Sequence, residues 1–260
     1  MIKRAVLALM LLLFVGSVQA QEPESLRLLT YNLHSETRVL DPMIEVIRAA
    51  DADVVGMVEV MPQTWARFEQ EFSEIYPYHV GEARSGLLLL SKYAIVDQQD
   101  YTPDGTRLLK AVIQIADRPF TVFEVYPYNP LSDEGYDAAD RSALINFVLE
   151  EAAQASSPVV MMGDFNMEEW SDDYDLLAAD YVDSYRDLWP EKAGLTFPDY
   201  STPQAKVNLH FPSWSPLLLR LDYVFHDPAF TTREAEVWPT SGGSDHRPLF
   251  VTLDLPPESG

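Results

Sequence analysis

Short apolar runs alternate with amphipathic stretches along most of the chain. Runs of about four to eight apolar residues, bounded by polar residues, glycine or proline, are typical of strands buried in a sheet. Several of these runs are followed closely by a polar side chain, as at Asn32, Glu59 and Asp164. The predicted strands are Leu26–Tyr31, Asp53–Val58, Leu108–Ile115, Phe120–Val125, Pro158–Met162, Leu218–Phe225 and Leu249–Leu253, with a further apolar run at Leu87–Leu90.

Three stretches show the spacing of amphipathic helices. The first is Pro42–Ala50, with Asp41 as its N-cap and proline at the first helical position. The others are Gln63–Phe72 and Ala138–Ala153. Helices and strands interleave, but the third and fourth predicted strands are separated only by the turn Ala116–Pro119, which predicts a hairpin. The pattern therefore predicts an α+β fold with a mixed sheet rather than a doubly wound parallel one.

The N-terminal segment has the pattern of a secretory signal peptide. Basic residues precede the apolar run Ala5–Val15, which is too short to span a bilayer comfortably, and small residues follow at Val18 and Ala20. We expect residues 1–20 to be removed near Ala20 and residues 21–260 to form one domain, secreted or periplasmic. An uncleaved N-terminal anchor is the alternative.

The chain is strongly acidic and contains no cysteine. It has 41 acidic and 18 basic residues, which gives a net charge of −23. Disulfides and thiolate metal sites are therefore excluded. Proteins that capture nucleic acid broadly present a basic face, and the sequence shows no cluster of basic residues. We expect a monomer without a basic nucleic-acid-binding face.

Polar side chains that suit phosphate-ester hydrolysis follow the predicted strands. They are Asn32, Glu59, the turn Gly163–Asn166, Asp222 and the segment Ser244–Pro248. Metal-assisted hydrolysis needs oxygen ligands for a hard cation, a group that places a water, and an imidazole that contacts the phosphate or moves a proton. The chain supplies all three, at places where rigid strands end.

The order of these motifs resembles the endonuclease/exonuclease/phosphatase superfamily, which includes pancreatic deoxyribonuclease, abasic-site endonucleases, inositol polyphosphate phosphatases and bacterial sphingomyelinases. The resemblance implies a four-layer αββα sandwich of two packed mixed β-sheets flanked by helices. It also implies divalent-cation-dependent hydrolysis of a phosphodiester or phosphomonoester. The motifs that carry it are Tyr31-Asn32, Glu59, Gly86–Lys92, Gly163–Asn166, Arg220–Phe225 and Ser244–Pro248.

The resemblance implies a metal site made of oxygen ligands. Glu59 matches the family's metal-ligand glutamate, Asn32 the asparagine beside the metal, and Asp245 a residue that contacts the metal or orients the neighbouring histidine. We expect one or two Mg²⁺ or Mn²⁺ ions, since hard cations prefer oxygen. His34 lies two residues after Asn32, but no family motif gives it a role.

Five further residues match the family's catalytic positions. Asp164 matches the aspartate that positions or deprotonates the attacking water, and Asn166 its neighbour that binds a phosphate oxygen. Asp222 and His246 match the Asp-His pair, in which the carboxylate fixes the imidazole tautomer. Tyr126 stands where many members have histidine, an arrangement similar to that of the abasic-site endonucleases, and can donate a neutral hydrogen bond to the phosphate.

The substrate remains open between a small molecule, a lipid headgroup and nucleic acid. The acidic charge favours the first two, and a secreted nuclease is the alternative. A protein that kept the fold as a binding module and lost catalysis is a rival of another class. The apolar stretch 209–219 is either a loop that touches a membrane transiently or, as we prefer, the approach to a core strand.

Overall fold

Two six-stranded β-sheets pack face to face, with helices on the outer face of each. The computed structural model describes residues 25–35, 39–81, 86–102, 106–132, 135–202 and 218–256. This architecture confirms the predicted α+β fold, a four-layer αββα sandwich with two mixed sheets. The predicted signal peptide and most of the apolar stretch 209–219 lie outside the described residues.

The structure has five helices and fourteen strands within the described residues. The helices are α1 Asp41–Ala50, α2 Pro62–Phe72, α3 Ala139–Ala153, α4 Asp172–Ala178 and α5 Ser184–Leu188. The strands are β1 Ser25–Asn32, β2 Val54–Val58, β3 Tyr78–Val80, β4 Leu87–Ser91, β5 Ala94–Asp100, β6 Leu108–Ile115, β7 Arg118–Val125, β8 Leu131–Ser132, β9 Gly135–Tyr136, β10 Val159–Asp164, β11 Val182–Asp183, β12 Asp222–His226, β13 Thr231–Val237 and β14 Leu249–Asp254.

Each sheet is mixed and contains one parallel pair at its centre. The first sheet has the order β13-β14-β1-β2-β4-β3, and the second has the order β11-β12-β10-β7-β6-β5. β1 and β2 are parallel, as are β7 and β10, and the other pairs are antiparallel. Parallel neighbours need a crossover connection, which α1 and α3 supply. Each parallel pair therefore ends at the same rim of its sheet.

The space between the sheets is an apolar core that both sheets share. Side chains alternate along a strand, so one face of each central strand points into this core and the other packs on helices. α1 and α2 cover the first sheet, and α3 and α4 cover the second. The interior is filled by side chains such as Leu28, Val54, Val122, Val160, Val224 and Val251.

Most predicted elements are present, and two predictions are wrong in detail. The strand predicted at Leu218–Phe225 begins only at Asp222, because Leu219 makes a single bridge to Phe197 instead of joining the ladder. Asp41 does not cap α1. It is a residue of the helix itself, and Leu40 stands at the N-cap without a capping side chain. Among the described residues, no helix is long and apolar enough to cross a membrane.

Candidate active site

The polar residues predicted from the sequence meet at one edge of the sandwich. In the first sheet β1 ends at Asn32, and Glu59 follows its parallel neighbour β2. In the second sheet Asp164 ends β10 opposite Asp222, the first residue of β12. Tyr126 follows β7, the parallel neighbour of β10. The parallel pairs thus bring residues that are distant in the chain to facing rims of the two sheets.

An amide joins two carboxylates at the centre of the site. Asn32 Nδ2 donates to Glu59 Oε1 at 3.1 Å and to Asp164 Oδ2 at 2.9 Å, so it links the two sheets. Tyr126 donates its hydroxyl proton to Glu59 Oε1 at 2.8 Å, and the backbone N–H of Ser35 donates to Glu59 Oε2 at 2.8 Å. Burial would raise the pKa of Glu59, but these three donors hold it below its usual value. Glu59 is therefore an ionised carboxylate with a fixed orientation, which suits an oxygen ligand for a cation.

The backbone is strained at this same place. Glu59 has a φ of 61°, Asn166 a φ of 46° and His34 a φ of 54°. The left-handed region is unfavourable for residues with a Cβ atom, and such residues cluster at functional sites. Three of them around one cluster of carboxylates identify the region as a candidate site independently of any motif.

His246 and Asp222 form a buried ion pair. His246 Nδ1 lies 2.9 Å from Asp222 Oδ2, and its Nε2 lies 3.9 Å from Asp164 Oδ2. The ring of Phe197 packs on the imidazole, with 4.7 Å between ring centroids. Burial alone would lower the pKa of His246, but the charges of Asp222 and Asp164 raise it to about 10. The imidazole is therefore a protonated donor whose Nε2–H points toward Asp164.

Asp164 is a buried carboxyl group with a displaced pKa. Burial raises the pKa of Asp164 to about 7; the charge of His246 opposes this rise and that of Asp222 adds to it. The backbone N–H of Asn166 donates to Asp164 Oδ1 at 2.9 Å, so this oxygen is held while Oδ2 faces Asn32 and His246. A carboxyl group that titrates near neutral pH suits a proton acceptor.

Asp245 and His34 extend the site on the side of the first sheet. Both are buried, and His34 Nε2 lies 3.8 Å from Asp245 Oδ2. The backbone N–H of His34 donates to Asn32 Oδ1 at 2.9 Å. Burial raises the pKa of Asp245, and the negative charge of Glu59 contributes to the rise. No motif in the sequence gives His34 a role. Its spacing of two residues from Asn32 is the only feature of the sequence that places it near the site.

The loop after β10 is held in place by Arg141 from α3. Arg141 Nη1 donates to the backbone carbonyl of Asn166 at 2.8 Å, and its Nε donates to Asp173 at 2.7 Å. The side-chain amide of Asn166 donates to the carbonyl of Pro127 at 3.1 Å, which ties this loop to the segment after Tyr126. Arg141 is buried and supports Asn166 through the backbone.

The side chains present fit a hard divalent cation. Glu59 and Asp164 offer carboxylate oxygens, and Asp245 adds another carboxylate near Glu59. Asn32 turns its Nδ2 to Glu59 and Asp164, while its Oδ1 accepts from the backbone N–H of His34. Oxygen ligands of this kind are what Mg²⁺ and Mn²⁺ prefer. Asp164, Asp222 and His246 also present one ligand atom each within 4.8 Å of one another. Because His246 is held as an imidazolium, we assign this second group to proton handling.

A cavity of about 280 Å³ lies beside the carboxylates rather than among them. Its lining includes Arg107, Tyr128, Leu144 and Phe147. The guanidinium of Arg107 lies 4.8 Å from the ring centroid of Tyr126 and 3.9 Å from that of Tyr128. This cavity therefore adjoins the site through Tyr126 and brings a cation and apolar surface next to it, which the sequence did not predict.

Comparisons with known proteins identify related sequences and folds. The sequence model of the endonuclease/exonuclease/phosphatase family matches residues 29–246. A search of curated proteins finds no significant match. The solved structure of humanized D. rerio TDP2 is similar, with a TM-score of 0.70 and 15% identity over 89% of this chain and 99% of that one. The endonuclease/exonuclease/phosphatase from Bacteroides vulgatus has a TM-score of 0.65 and 18% identity over 90% and 100%. A D. rerio TDP2 structure complexed with single-strand DNA product has a TM-score of 0.69 and 15% identity over 89% and 99%.

Proposed function

Because the chain belongs to the endonuclease/exonuclease/phosphatase family, whose members hydrolyse phosphate esters, we propose that it is a divalent-cation-dependent phosphoesterase. The observation that carries the proposal is the contact between two groups of residues. Asn32 joins Glu59 to Asp164, and Asp164 in turn faces the imidazole of His246. The side chains that would bind the cation and the pair that handles the proton are thus linked at Asp164.

Glu59 and Asp245 are the proposed cation ligands, with Asn32 beside them. To be a ligand itself, Asn32 would have to turn its Oδ1 from the backbone N–H of His34 to the cation. The depressed pKa of Glu59 supports its role as a ligand, because an ionised carboxylate is ready to bind a cation near neutral pH. Burial, with a smaller contribution from the negative charge of Glu59, raises the pKa of Asp245, so a cation bound beside both carboxylates would favour the ionised form of Asp245. A bound Mg²⁺ or Mn²⁺ would neutralise the charge of the phosphate and make it easier to attack.

Asp164 is the proposed acceptor for the proton of the attacking water. Its Oδ1 is fixed by the backbone of Asn166, so its orientation is set before substrate binds. Its pKa of about 7 means that it is substantially ionised at neutral pH and can still take up a proton. Both properties are needed by a group that aims and deprotonates a water.

His246, Tyr126 and Asn166 are the proposed contacts to the phosphate. The imidazolium of His246 has its Nε2–H available toward the site, since its Nδ1–H is held by Asp222. Tyr126 remains neutral, because burial and the charges of Glu59 and Asp164 raise its pKa. Its single hydroxyl proton is donated to Glu59 Oε1 in this structure, so it would turn to the phosphate only when a cation takes that oxygen. Donors at these places would stabilise the charge that develops on phosphoryl oxygens in the transition state.

For the substrate, we favour a small phosphate ester or a lipid headgroup over nucleic acid. The net charge of −23 repels polyanions at long range. The cavity beside Tyr126 combines the cation of Arg107 with apolar side chains, which suits a compact organic leaving group. The DNA-bound TDP2 structure supports a nuclease as the second candidate.

We also propose that the protein acts outside the cytoplasm as a monomer. The support for export is the basic and apolar pattern of residues 1–20, with small residues at the expected cleavage site. N-terminal sequencing of the protein recovered from the periplasm and medium tests this proposal. A chain that still begins at Met1 would contradict cleavage near Ala20, and recovery of the protein only from the cytoplasm would contradict export.

The test of the activity is a panel of phosphate esters with matched variants. The purified protein would be assayed with inositol phosphates, sphingomyelin liposomes, plasmid DNA, RNA and a chromogenic diester, each with Mg²⁺, with Mn²⁺ and with chelator. We expect cation-dependent turnover that His246→Ala abolishes. Arg233→Gln is the control. Arg233 lies on the edge strand β13, is exposed, and pairs with Asp254 of β14.

Two results would overturn parts of this proposal. Full turnover in the presence of chelator would contradict the cation, and absence of turnover on every ester would favour a binding protein of the same fold. DNA cleavage whose rate is insensitive to salt would contradict our preference for small or lipid substrates, because it would show binding without long-range repulsion.

A further inference from the structure

Glu124 is a buried carboxyl group that the site described above does not use. It lies on the inward face of β7, where its neighbours along the strand are the core residue Val122 and the site residue Tyr126. Its side chain is 0% exposed, and neither carboxyl oxygen has a hydrogen-bond partner among the described residues. Buried polar atoms in folded proteins are almost always paired, either with protein or with ordered water.

The first sheet makes room for this carboxyl group. A Cβ atom added to Gly56 of β2 would lie 1.7 Å from Glu124 Oε2, so the carboxyl group occupies the space that a side chain would fill. Glu124 therefore reaches across the interior from one sheet to the other. The side chain of Glu124 thus fits beside β2 only because Gly56 has no side chain.

Two further polar atoms without partners lie on the inward faces around it. Thr30 Oγ1 and Asp222 Oδ1 are both buried and have no hydrogen-bond partner among the described residues. Thr30 is the register neighbour of Gly56 on β1, and β1 packs over β10 and β12. Thr30 thus lies between the carboxyl group of Glu124 and the strand that begins with Asp222.

The spacing is suited to a bridging water rather than to direct contact. Neighbouring strands are about 4.8 Å apart, so a side-chain atom on Thr30 is about 5 Å from the Cβ position of Gly56, where Glu124 Oε2 lies. Two hydrogen bonds of about 2.8 Å through one water span that distance. A polar site with three or more partners is where internal waters are found.

We propose that Glu124, Thr30 and Asp222 Oδ1 enclose an internal water site beneath the active site, through which Glu124 positions the Asp222–His246 pair. This inference rests on the proposed function and adds a positioning residue to it. Through the water, Glu124 fixes Oδ1 of Asp222. The other oxygen of the same carboxylate, Oδ2, contacts His246 Nδ1.

The charge state of Glu124 agrees with this arrangement. Burial and the negative charge of Asp222 raise the pKa of Glu124 well above its usual value, so it is a neutral carboxylic acid. A neutral acid donates one hydrogen bond and accepts others, whereas Asp222 only accepts. An ionised carboxylate without a partner at this depth would be strongly unfavourable.

The test compares an isosteric amide with an isosteric apolar side chain. Glu124→Gln keeps a neutral donor and acceptor, and Glu124→Met keeps the volume and removes both. We expect Glu124→Gln to retain kcat within about twofold, and Glu124→Met to lose about tenfold in kcat with KM unchanged. A Glu124→Met enzyme with wild-type kcat would overturn the proposal.

Thr30→Val tests the same water site without changing Glu124, and it replaces Glu124→Met if that variant does not fold. We expect a severalfold loss of kcat, whereas the control Thr252→Val, whose hydroxyl bonds Glu234 on β13, should have none. Unchanged kcat in Thr30→Val would contradict the water bridge.

Two readouts are independent of turnover. The infrared spectrum of the wild type should contain the carbonyl stretch of a protonated carboxyl group that Glu124→Gln lacks, and a crystal structure should place a water between Glu124 and Thr30. Absence of both would overturn the inference. A wild-type protein that hydrolyses no ester would contradict the proposed function, while these two readouts would still decide the water site.

Discussion

Asp222→Asn separates the charge of the Asp222–His246 pair from its shape. Asparagine has nearly the same volume and can still accept a hydrogen bond from His246 Nδ1, so the packing around this fully buried residue is kept. What is lost is the negative charge beside the imidazole. The prediction therefore concerns the protonation state of His246 rather than the integrity of the fold.

The magnitude follows from the geometry of the pair. The contact of 2.9 Å between His246 Nδ1 and Asp222 Oδ2 puts the centres of charge about 4 Å apart, which at an effective dielectric constant of about 20 is worth about 4 kcal/mol. One pKa unit corresponds to about 1.4 kcal/mol, so the pKa of His246 should fall from about 10 most of the way to its ordinary 6.5. At pH 8 the imidazole of the variant would then be mostly neutral.

The assay is the pH dependence of kcat/KM in saturating Mg²⁺. We expect the variant to lose about 10–30-fold at pH 8, because only about a tenth or less of its imidazole is then the cation that donates to the phosphate. Its rate relative to wild type should recover as the pH falls through 6.5, where the imidazole of the variant regains its proton. A loss of the same size at every pH, or a loss below about threefold at pH 8, would refute the reasoning.

Three further predictions concern the cation, the backbone and the buried acid. Glu59→Gln should weaken Mg²⁺ binding by about tenfold or more in calorimetry, and unchanged affinity would remove Glu59 from the ligands. Gly163→Ala should lower the free energy of unfolding by about 1–3 kcal/mol, since the φ of Gly163 is 143° and an added Cβ would lie 2.0 Å from the carbonyl oxygen of Val125; a wild-type urea midpoint would contradict this. The raised pKa of Glu124 means that the folded state binds more protons above pH 4.5, so wild-type stability falls as the pH rises from there toward the folded-state pKa, and Glu124→Gln should gain on wild type over that range. Urea unfolding at about pH 5 and pH 8 checks the sign. If the free energy of unfolding of Glu124→Gln minus that of wild type fell with rising pH, the result would be inconsistent with a neutral Glu124.

Strand-like patterns in the sequence were reliable where a strand is buried on both faces. β1, β2, β10 and β14 are central or nearly central in their sheets, and their apolar runs were identified with ends accurate to one or two residues. β13 was missed because it is an edge strand: Thr231–Val237 alternates only weakly and is largely polar. The opposite error occurred at Leu218–Leu221, where apolar residues precede the strand without pairing in it.

Individual site residues were predicted where a motif accompanied them, and missed where only packing brings them in. Asp164, Asp222 and His246 were predicted from their motifs, and the structure brings them together. His34 and Arg141 have no such motif. His34 reaches Asp245 because the chain takes a left-handed turn after β1, and Arg141 reaches the loop at Asn166 because α3 lies against that loop.

The sequence by itself determined the buried central strands and the polar side chains that follow them, because apolar runs and strand ends are local properties of the chain. The tertiary structure decided the distances. Asn32 and Asp164 are 132 positions apart, and they are joined at 2.9 Å only because two parallel pairs end at facing rims of a packed sandwich. Glu124 shows the same division. Its place in the alternation puts it on the face of Val122, but only the packing of β2 makes that face the interior beside Gly56. There its burial away from bulk solvent, together with the charge of Asp222, raises its pKa.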